Sequence, residues 1–333
     1  MTLSVVIPVY NEGEGIRLLV RRLLDCLKDL GIDWEVILVD DHSLDNSPTI
    51  LKEVCAGNAG LRYLRLSSNC GSHIAILAGL EHARGDCAVF MAADLQDPPE
   101  LIARMLELWR QGSKVVWAVR VQREQVPLAD RLFATAFYWL LNRFGEVTLP
   151  PDGADFALVD RRIIQHLVQS VGANPSLFAE IARMGFAQTE VPYAKEARKF
   201  GSTKWSLGKR LKLFADTFVA FSYAPLRAMS YIGLCMSALA FLWAVVVFFG
   251  RVWNQRPISG YASLMIVILT VGGFQMIMLG VLGEYLWRTL DEARHRPKYF
   301  IEESGSSPGL SKREGAELES GAVRMPEKQA GVG

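Results

Sequence analysis

Hydrophobic residues are distributed along the chain in two different ways. In the first part, short apolar runs alternate with longer amphipathic stretches. Leu3–Pro8, Trp34–Val39, Leu61–Leu66, Cys87–Met91 and Lys114–Val119 are compact apolar runs bounded by polar clusters, and they read as buried strands. Ile16–Leu30, Ser47–Cys55, Ile74–His82 and Pro99–Gln111 carry apolar residues at helical spacing. Ser47-Pro48 and Asp97-Pro98-Pro99 mark helix starts, with proline in the first turn, where its missing N–H is not needed. Strand and helix in alternation predict an α/β fold: a Rossmann-like, mostly parallel sheet with helices on both faces.

The second regime lies late in the chain. No charge intervenes between Arg227 and Arg251, or between Arg256 and Glu284, and Met229–Phe249 and Tyr261–Gly283 are nearly all apolar. At ~1.5 Å rise per residue each run is long enough for the roughly 30 Å hydrocarbon layer of a bilayer. The pattern predicts two transmembrane helices, at about 229–250 and 261–284, within a unit spanning 229–300. Trp243, Trp253, Tyr261, Tyr285 and Trp287 lie within or near the ends of the runs, partly where interfacial aromatics belong. Arg198, Lys199, Lys204, Lys209, Arg210, Lys212 and Arg227 precede the first run, and Arg288, Arg294, Arg296 and Lys298 follow the second. The connection has only Arg251 and Arg256. This asymmetry predicts a protein of the cytoplasmic membrane with both termini inside. Residues 1–200 form the cytoplasmic unit. In 201–228, Leu207, Leu211, Phe214, Phe218 and Phe221 oppose Lys209, Lys212 and Asp216, which suits a helix in the membrane interface or an ordinary core-facing one. Residues 301–333 are rich in Gly, Ser and Glu and are predicted to be disordered.

Composition narrows the chemistry. The 333 residues suffice for about two units. Lys+Arg 36 against Asp+Glu 35 leaves a net charge of +1, which excludes a broadly basic nucleic-acid binder. The five cysteines show no CxxC spacing and read as free thiols, and the five histidines show no HExxH pattern. Neither GxGxxG nor GxxxxGK[ST] occurs, so dinucleotide and P-loop readings lose their main support.

Parallel sheets bind ligands at the carboxyl ends of their strands. There the chain places Val9-Tyr10-Asn11-Glu12-Gly13, Asp40-Asp41-His42-Ser43-Leu44-Asp45-Asn46, Ser67-Ser68-Asn69-Cys70-Gly71 and Ala92-Ala93-Asp94-Leu95-Gln96-Asp97. Carboxylates and amides on one edge suit a base, a ribose and a divalent cation. The same residue types also cap helices, and any single loop is equally well explained that way.

The runs Val5-Val6-Ile7-Pro8-Val9-Tyr10-Asn11-Glu12, Val39-Asp40-Asp41-His42-Ser43-Leu44-Asp45 and Ala93-Asp94-Leu95-Gln96-Asp97-Pro98-Pro99-Glu100 resemble the family 2 glycosyltransferases of GT-A fold. More narrowly, the chain is similar to the polyprenyl-phosphate glycosyltransferases, of the bactoprenol glucosyltransferase and dolichol-phosphate mannose synthase type. The likeness continues through Asn69 and Gly71, Phe221–Arg227, Leu279–Tyr285 and Arg296–Tyr299, in order over residues 3–301. It implies inverting sugar transfer from a nucleotide-diphosphate sugar to a polyprenyl phosphate such as undecaprenyl phosphate, beside membrane lipids. It further implies a homo-oligomer such as a tetramer, with no nucleic acid as partner. By family frequency the donor is first a UDP-sugar.

The resemblance also distributes roles. Pro8, Tyr10, Glu12, Asp40, Asp41, Ser43 and Asn69 would contact the donor, and Asp94 with Gln96 would hold Mg²⁺ or Mn²⁺. The family's usual Asp-x-Asp pair is incomplete, because Ala92 stands at its first position, and weaker metal affinity follows. Gly153-Ala154-Asp155-Phe156 resembles the family's Gly-Asp-Phe segment, which makes Asp155 a second catalytic candidate beside Asp94. A phosphate monoester is largely dianionic at neutral pH, so the acceptor needs cations more than a strong base. Arg120, Arg123, Arg198, Ser202, Lys204 and Arg227 are the candidates, with Arg198–Trp205 resembling an acceptor-phosphate segment that Thr203 interrupts. A processive synthase is disfavoured by the lack of QxxRW, whereas Ala92 motivates a catalytically silent nucleotide-sugar-binding scaffold as the rival.

Overall fold

The computed structural model describes residues 1–120, 155–170, 177–194, 196, 224–254, 260–294 and 296–307. Five strands and four helices alternate first: β1 (Thr2–Val9), α1 (Gly13–Asp29), β2 (Asp33–Asp40), α2 (Ser47–Gly57), β3 (Leu61–Leu66), α3 (Ser72–Glu81), β4 (Cys87–Phe90), α4 (Leu101–Arg110) and β5 (Val115–Arg120). Then come β6 (Ala157–Asp160), α5 (Arg161–Ser170), α6 (Leu177–Arg183), β7 (Gln188–Tyr193), α7 (Ala224–Asn254), α8 (Tyr261–Ala293) and β8 (Ile301–Ser306).

The strands form one sheet in the order β7-β5-β6-β4-β1-β2-β3-β8. Pairing is parallel except where β6 meets β4 and β5 and where β8 meets β3. Side chains alternate across the sheet, and both faces are buried. Leu3, Val5, Ile7, Val36 and Leu38 pack with α1, α2 and α4, while Val6, Ile37 and Val39 pack with α3, α5 and α6. Burial on both faces is why these strands read as continuous apolar runs rather than as alternating ones. Contact with α3 is close enough that a Cβ on Gly79 would run into the side chain of Val6.

The α/β, mostly parallel architecture is as expected, and two other expectations are corrected. First, the tail predicted to be disordered from residue 301 opens with β8, because Ile301–Ser306 completes the hydrogen bonding of edge strand β3. Second, among the described residues no helix is long and apolar enough to cross a membrane. This overturns the two spans, and with them the cytoplasmic-membrane location and the inside placement of termini and site. The prediction rested on two charge-free, nearly all apolar runs, and both runs contain small and polar residues. Ser230, Gly233 and Ser237 interleave α7, and Thr270, Gly272, Gly273, Gln275, Gly280 and Gly283 interleave α8. The amphipathic stretch 200–223 lies outside the described residues.

Candidate active site

The loops after β1, β2 and β3 are fastened to one another by short polar side chains. Asn11 N–H donates to Ser43 Oγ (2.9 Å), Leu44 N–H to Asn11 Oδ1 (2.8 Å), Glu12 N–H to Ser47 Oγ (3.0 Å) and Gly13 N–H to Asp45 Oδ2 (3.2 Å). A Cβ on Gly13 would collide with Asn46, so glycine is what lets α1 start this close to the β2 loop. Asn11 and His42 hold left-handed backbone, φ 53° and 59°. That conformation is uncommon outside glycine, and Asn and His tolerate it best.

The two aspartates that end β2 face different partners. Asp40 is fully buried, taking Ser43 N–H on Oδ1 (3.0 Å) and Arg65 Nη1 on Oδ2 (2.7 Å). Asp41 accepts the N–H groups of Cys70 (2.7 Å) and Gly71 (2.9 Å). Burial pushes the Asp41 carboxyl above its ordinary value, with those two backbone donors working the other way. Asp40, Asp41 and Ser43 therefore shape the edge through internal bonds. Pro8, Tyr10 and Glu12 are partly exposed beside them, and Asn69 is exposed in the β3 loop.

After β4, buried Ala93, Leu95 and Asp97 alternate with partly exposed Ala92, Asp94 and Gln96. Leu95 adopts φ 60°, and Asp94 Oδ1 accepts Gln96 N–H (3.2 Å). Gln96 also donates Nε2 to the Glu196 carbonyl (3.3 Å), and its own carbonyl accepts Glu196 N–H (2.9 Å). The Glu196 carboxylate is held by Arg22 (2.6 Å), which also grips Glu100 (2.8 Å). The turn carrying Asp94 is thus braced from α1 and from the chain beyond β7.

A second charged group stands where β5, β6 and β7 meet. Because β6 runs antiparallel, its start lies at the same edge as the ends of β5 and β7. This brings Arg120 Nη2 to within 2.5 Å of Asp155 Oδ2. Burial opposes the Arg120 charge, but Asp155 and Tyr193 outweigh it and raise its pKa. Tyr193 in turn donates to the fully buried Asp97 (2.7 Å), whose other oxygen takes Ala92 N–H (3.4 Å). Burial, then Asp97, pushes the Tyr193 phenol up. His73, at the start of α3, accepts Leu177 N–H on Nδ1 (3.1 Å), and burial lowers its pKa against the pull of Asp155.

The structure therefore brings the donor candidates, Asp94, Gln96, Arg120 and Asp155 to one sheet edge. Arg123, Arg198, Ser202 and Lys204 lie outside the described residues, and Arg227 falls in the first turn of α7. Asp97 reads in sequence as a helix start and as one acidic group of the β4 loop, but not as the buried partner of Tyr193. Arg65, His73 and Tyr193 gave no sequence signal, since each acts through a partner 25 to 104 residues away.

Among the described residues no three His, Cys, Asp or Glu side chains converge as a cation site. A divalent ion would take Asp94 as its protein carboxylate, with Gln96 beside it. Mg²⁺ accepts one or two protein ligands, so these residues fit such an ion without a protein cage.

Residues 4–168 match the glycosyl transferase family 2 profile, and residues 224–288 match the GtrB C-terminal hairpin profile. The chain is 37% identical to the uncharacterized glycosyltransferase YkcC of Bacillus subtilis (strain 168), covering 90% of this chain and 93% of that one. It is 31% identical to the bactoprenol glucosyl transferase of Shigella phage SfV, covering 90% and 98% respectively. Among solved structures, the mannosyltransferase PcManGT from Pyrobaculum calidifontis, in complex with GDP-Man and Mn²⁺, superposes with a TM-score of 0.42 at 16% identity, covering 86% of this chain and 87% of that one.

Proposed function

The chain belongs to the family 2 glycosyltransferases, and from that membership we propose that it transfers a sugar, with inversion, from a nucleotide-diphosphate sugar to the phosphate of a polyprenyl phosphate. The observation that carries this reading is the meeting of the Asp94 turn and the Arg120–Asp155 pair at the carboxyl edge that also bears the Asp40–Ser43 loop. A UDP-sugar is the first donor to test, and undecaprenyl phosphate the first acceptor.

The acceptor chemistry suits this edge. A phosphate monoester arrives as a dianion and needs a cation to bring it beside another anion. Arg120 supplies a planar fork whose present partner, Asp155, is itself half exposed. An incoming phosphate would replace Asp155 on that guanidinium, leaving the carboxylate to orient the sugar. A divalent cation, when bound, neutralises charge on the leaving diphosphate. Asp94 would ligate it, and Ala92 in place of a second carboxylate weakens that hold.

The assay combines purified protein, undecaprenyl phosphate in detergent, Mn²⁺ and a panel of UDP- and GDP-sugars. Lipid-linked product is expected with one donor, and Asp94→Ala should abolish it with an unchanged melting temperature. Normal turnover by Asp94→Ala would refute the assignment. Ala92 favours one other reading, a silent nucleotide-sugar-binding scaffold, and donor binding without product across the panel would establish it.

A further inference from the structure

The chain returns to the sheet after α8, and the returning segment reaches the donor edge. Ser67 N–H donates to the Phe300 carbonyl (2.9 Å), and β8 then pairs with β3. The pairing is irregular. Arg65 faces Glu303 while Leu66 faces Ile301, so Glu302 is the extra residue of a bulge. Bulges re-aim side chains, and this one turns Glu302 toward Arg65, at 2.9 Å from its Nε, and to 3.7 Å from His42 Nδ1.

Arg65 is held at three corners. Besides Glu302 it reaches Asp40 Oδ2 (2.7 Å) and the Ser43 carbonyl (3.4 Å). Asp40 also takes Ser43 N–H, so one guanidinium fixes both ends of the turn in which His42 is left-handed. The neighbouring Glu303 does something else: it bonds Lys52 (2.7 Å) and Tyr63 Oη (2.9 Å), which secures the sheet edge.

We propose that Glu302 is a positioning residue for the nucleoside end of the donor, acting through Arg65 on the Asp40–Ser43 turn. This rests on the donor-site reading above and adds to it a residue from the far end of the chain. A fork bonded on one side only can rotate. Asp40 and the Ser43 carbonyl would then lose a common partner, and the loop that meets the base would open. Chemistry at the anomeric carbon lies at the β4 and β5 loops and is not touched.

Full-length Glu302→Gln, Glu302→Asp and Glu303→Ala variants, with UDP titrated by calorimetry and donor kinetics measured, test this. Glu302→Gln should weaken UDP and raise donor KM about ten-fold with kcat nearly unchanged, because one charge-assisted bond is lost. Glu302→Asp should recover part of that loss, and Glu303→Ala should lower the melting temperature without weakening UDP. Equal UDP affinity in Glu302→Gln and the parent would overturn the inference and leave the glycosyltransferase reading standing. So would equal weakening by Glu302→Gln and Glu303→Ala, since β8 would then be an edge cover only. Failure of the parent to bind UDP, GDP or dTDP would sink the donor-site reading and this inference with it.

Discussion

Tyr193 joins two regions of the site through a single hydroxyl. It donates to buried Asp97, which holds the backbone of Ala92, and it borders Arg120. Tyr193→Phe keeps the ring, which meets Phe156 edge-on at 6.1 Å between centroids, and removes only the oxygen. The buried Asp97 carboxylate then loses a donor, which costs about 1–3 kcal/mol. We expect that loss in urea unfolding, together with a raised acceptor KM as Arg120 loosens. Wild-type values of both would show that the hydroxyl braces nothing. Asp94 and Gln96 were legible in sequence as candidates, though their alternation with buried Ala93, Leu95 and Asp97 was seen only in the structure. The Arg120–Asp155 pair was not legible: each residue was a candidate, but their meeting depends on β6 running backwards.

At the scale of elements, the sheet is held by close packing in one place and by charge in another. Gly79 of α3 lies against Val6 and Val39, with no room for a methyl group. Gly79→Ala should therefore destabilise the fold by about 1–3 kcal/mol despite alanine's better helix propensity, as thermal melts will show. At the other end of β4, Asp160 takes Lys114 Nζ (2.7 Å), Trp109 Nε1 (2.9 Å) and Arg162 N–H (3.1 Å). Burial opposes its charge, but these donors together hold the carboxyl below its ordinary 3.8. A depressed carboxyl contributes stability that is complete above its unfolded value and lost as pH falls through its folded one. Asp160→Asn should flatten the acid limb of the stability curve below about pH 4, and an unchanged limb would show that the pair contributes nothing there. The five alternating strands and four helices before residue 120 were legible because parallel strands buried on both faces leave uninterrupted apolar runs. Strands β6, β7 and β8 are polar-rich or very short, as in QTEVPY and IEESGS, and their assignment depends on which edge they join.

For the molecule as a whole, the family and the sheet agree, and the proposed metal dependence is the part most open to direct measurement. With Asp94 as its protein carboxylate, the cation should exchange readily. Chelation by EDTA should abolish transfer, and Mn²⁺ or Mg²⁺ should restore it, while the melting temperature stays unchanged because no cage of protein ligands exists among the described residues. Activity that persists through chelation would rule out a metal-dependent reaction. Amino-acid order alone determined the α/β alternation, the loops bearing Asp40, Asp41 and Asp94, and the family, because each depends on residues near one another in the chain. Helices at about 229–250 and 261–284 were legible too, and they run over 224–254 and 261–293 in the structure, but no helix among the described residues is long and apolar enough to cross a membrane. Only the tertiary structure decided that Asp155 meets Arg120, that Tyr193 steadies Asp97, and that Glu302 reaches Arg65 across 237 positions. Those contacts come from strand order and direction, which are set by the packing of the whole sheet and not by any local pattern.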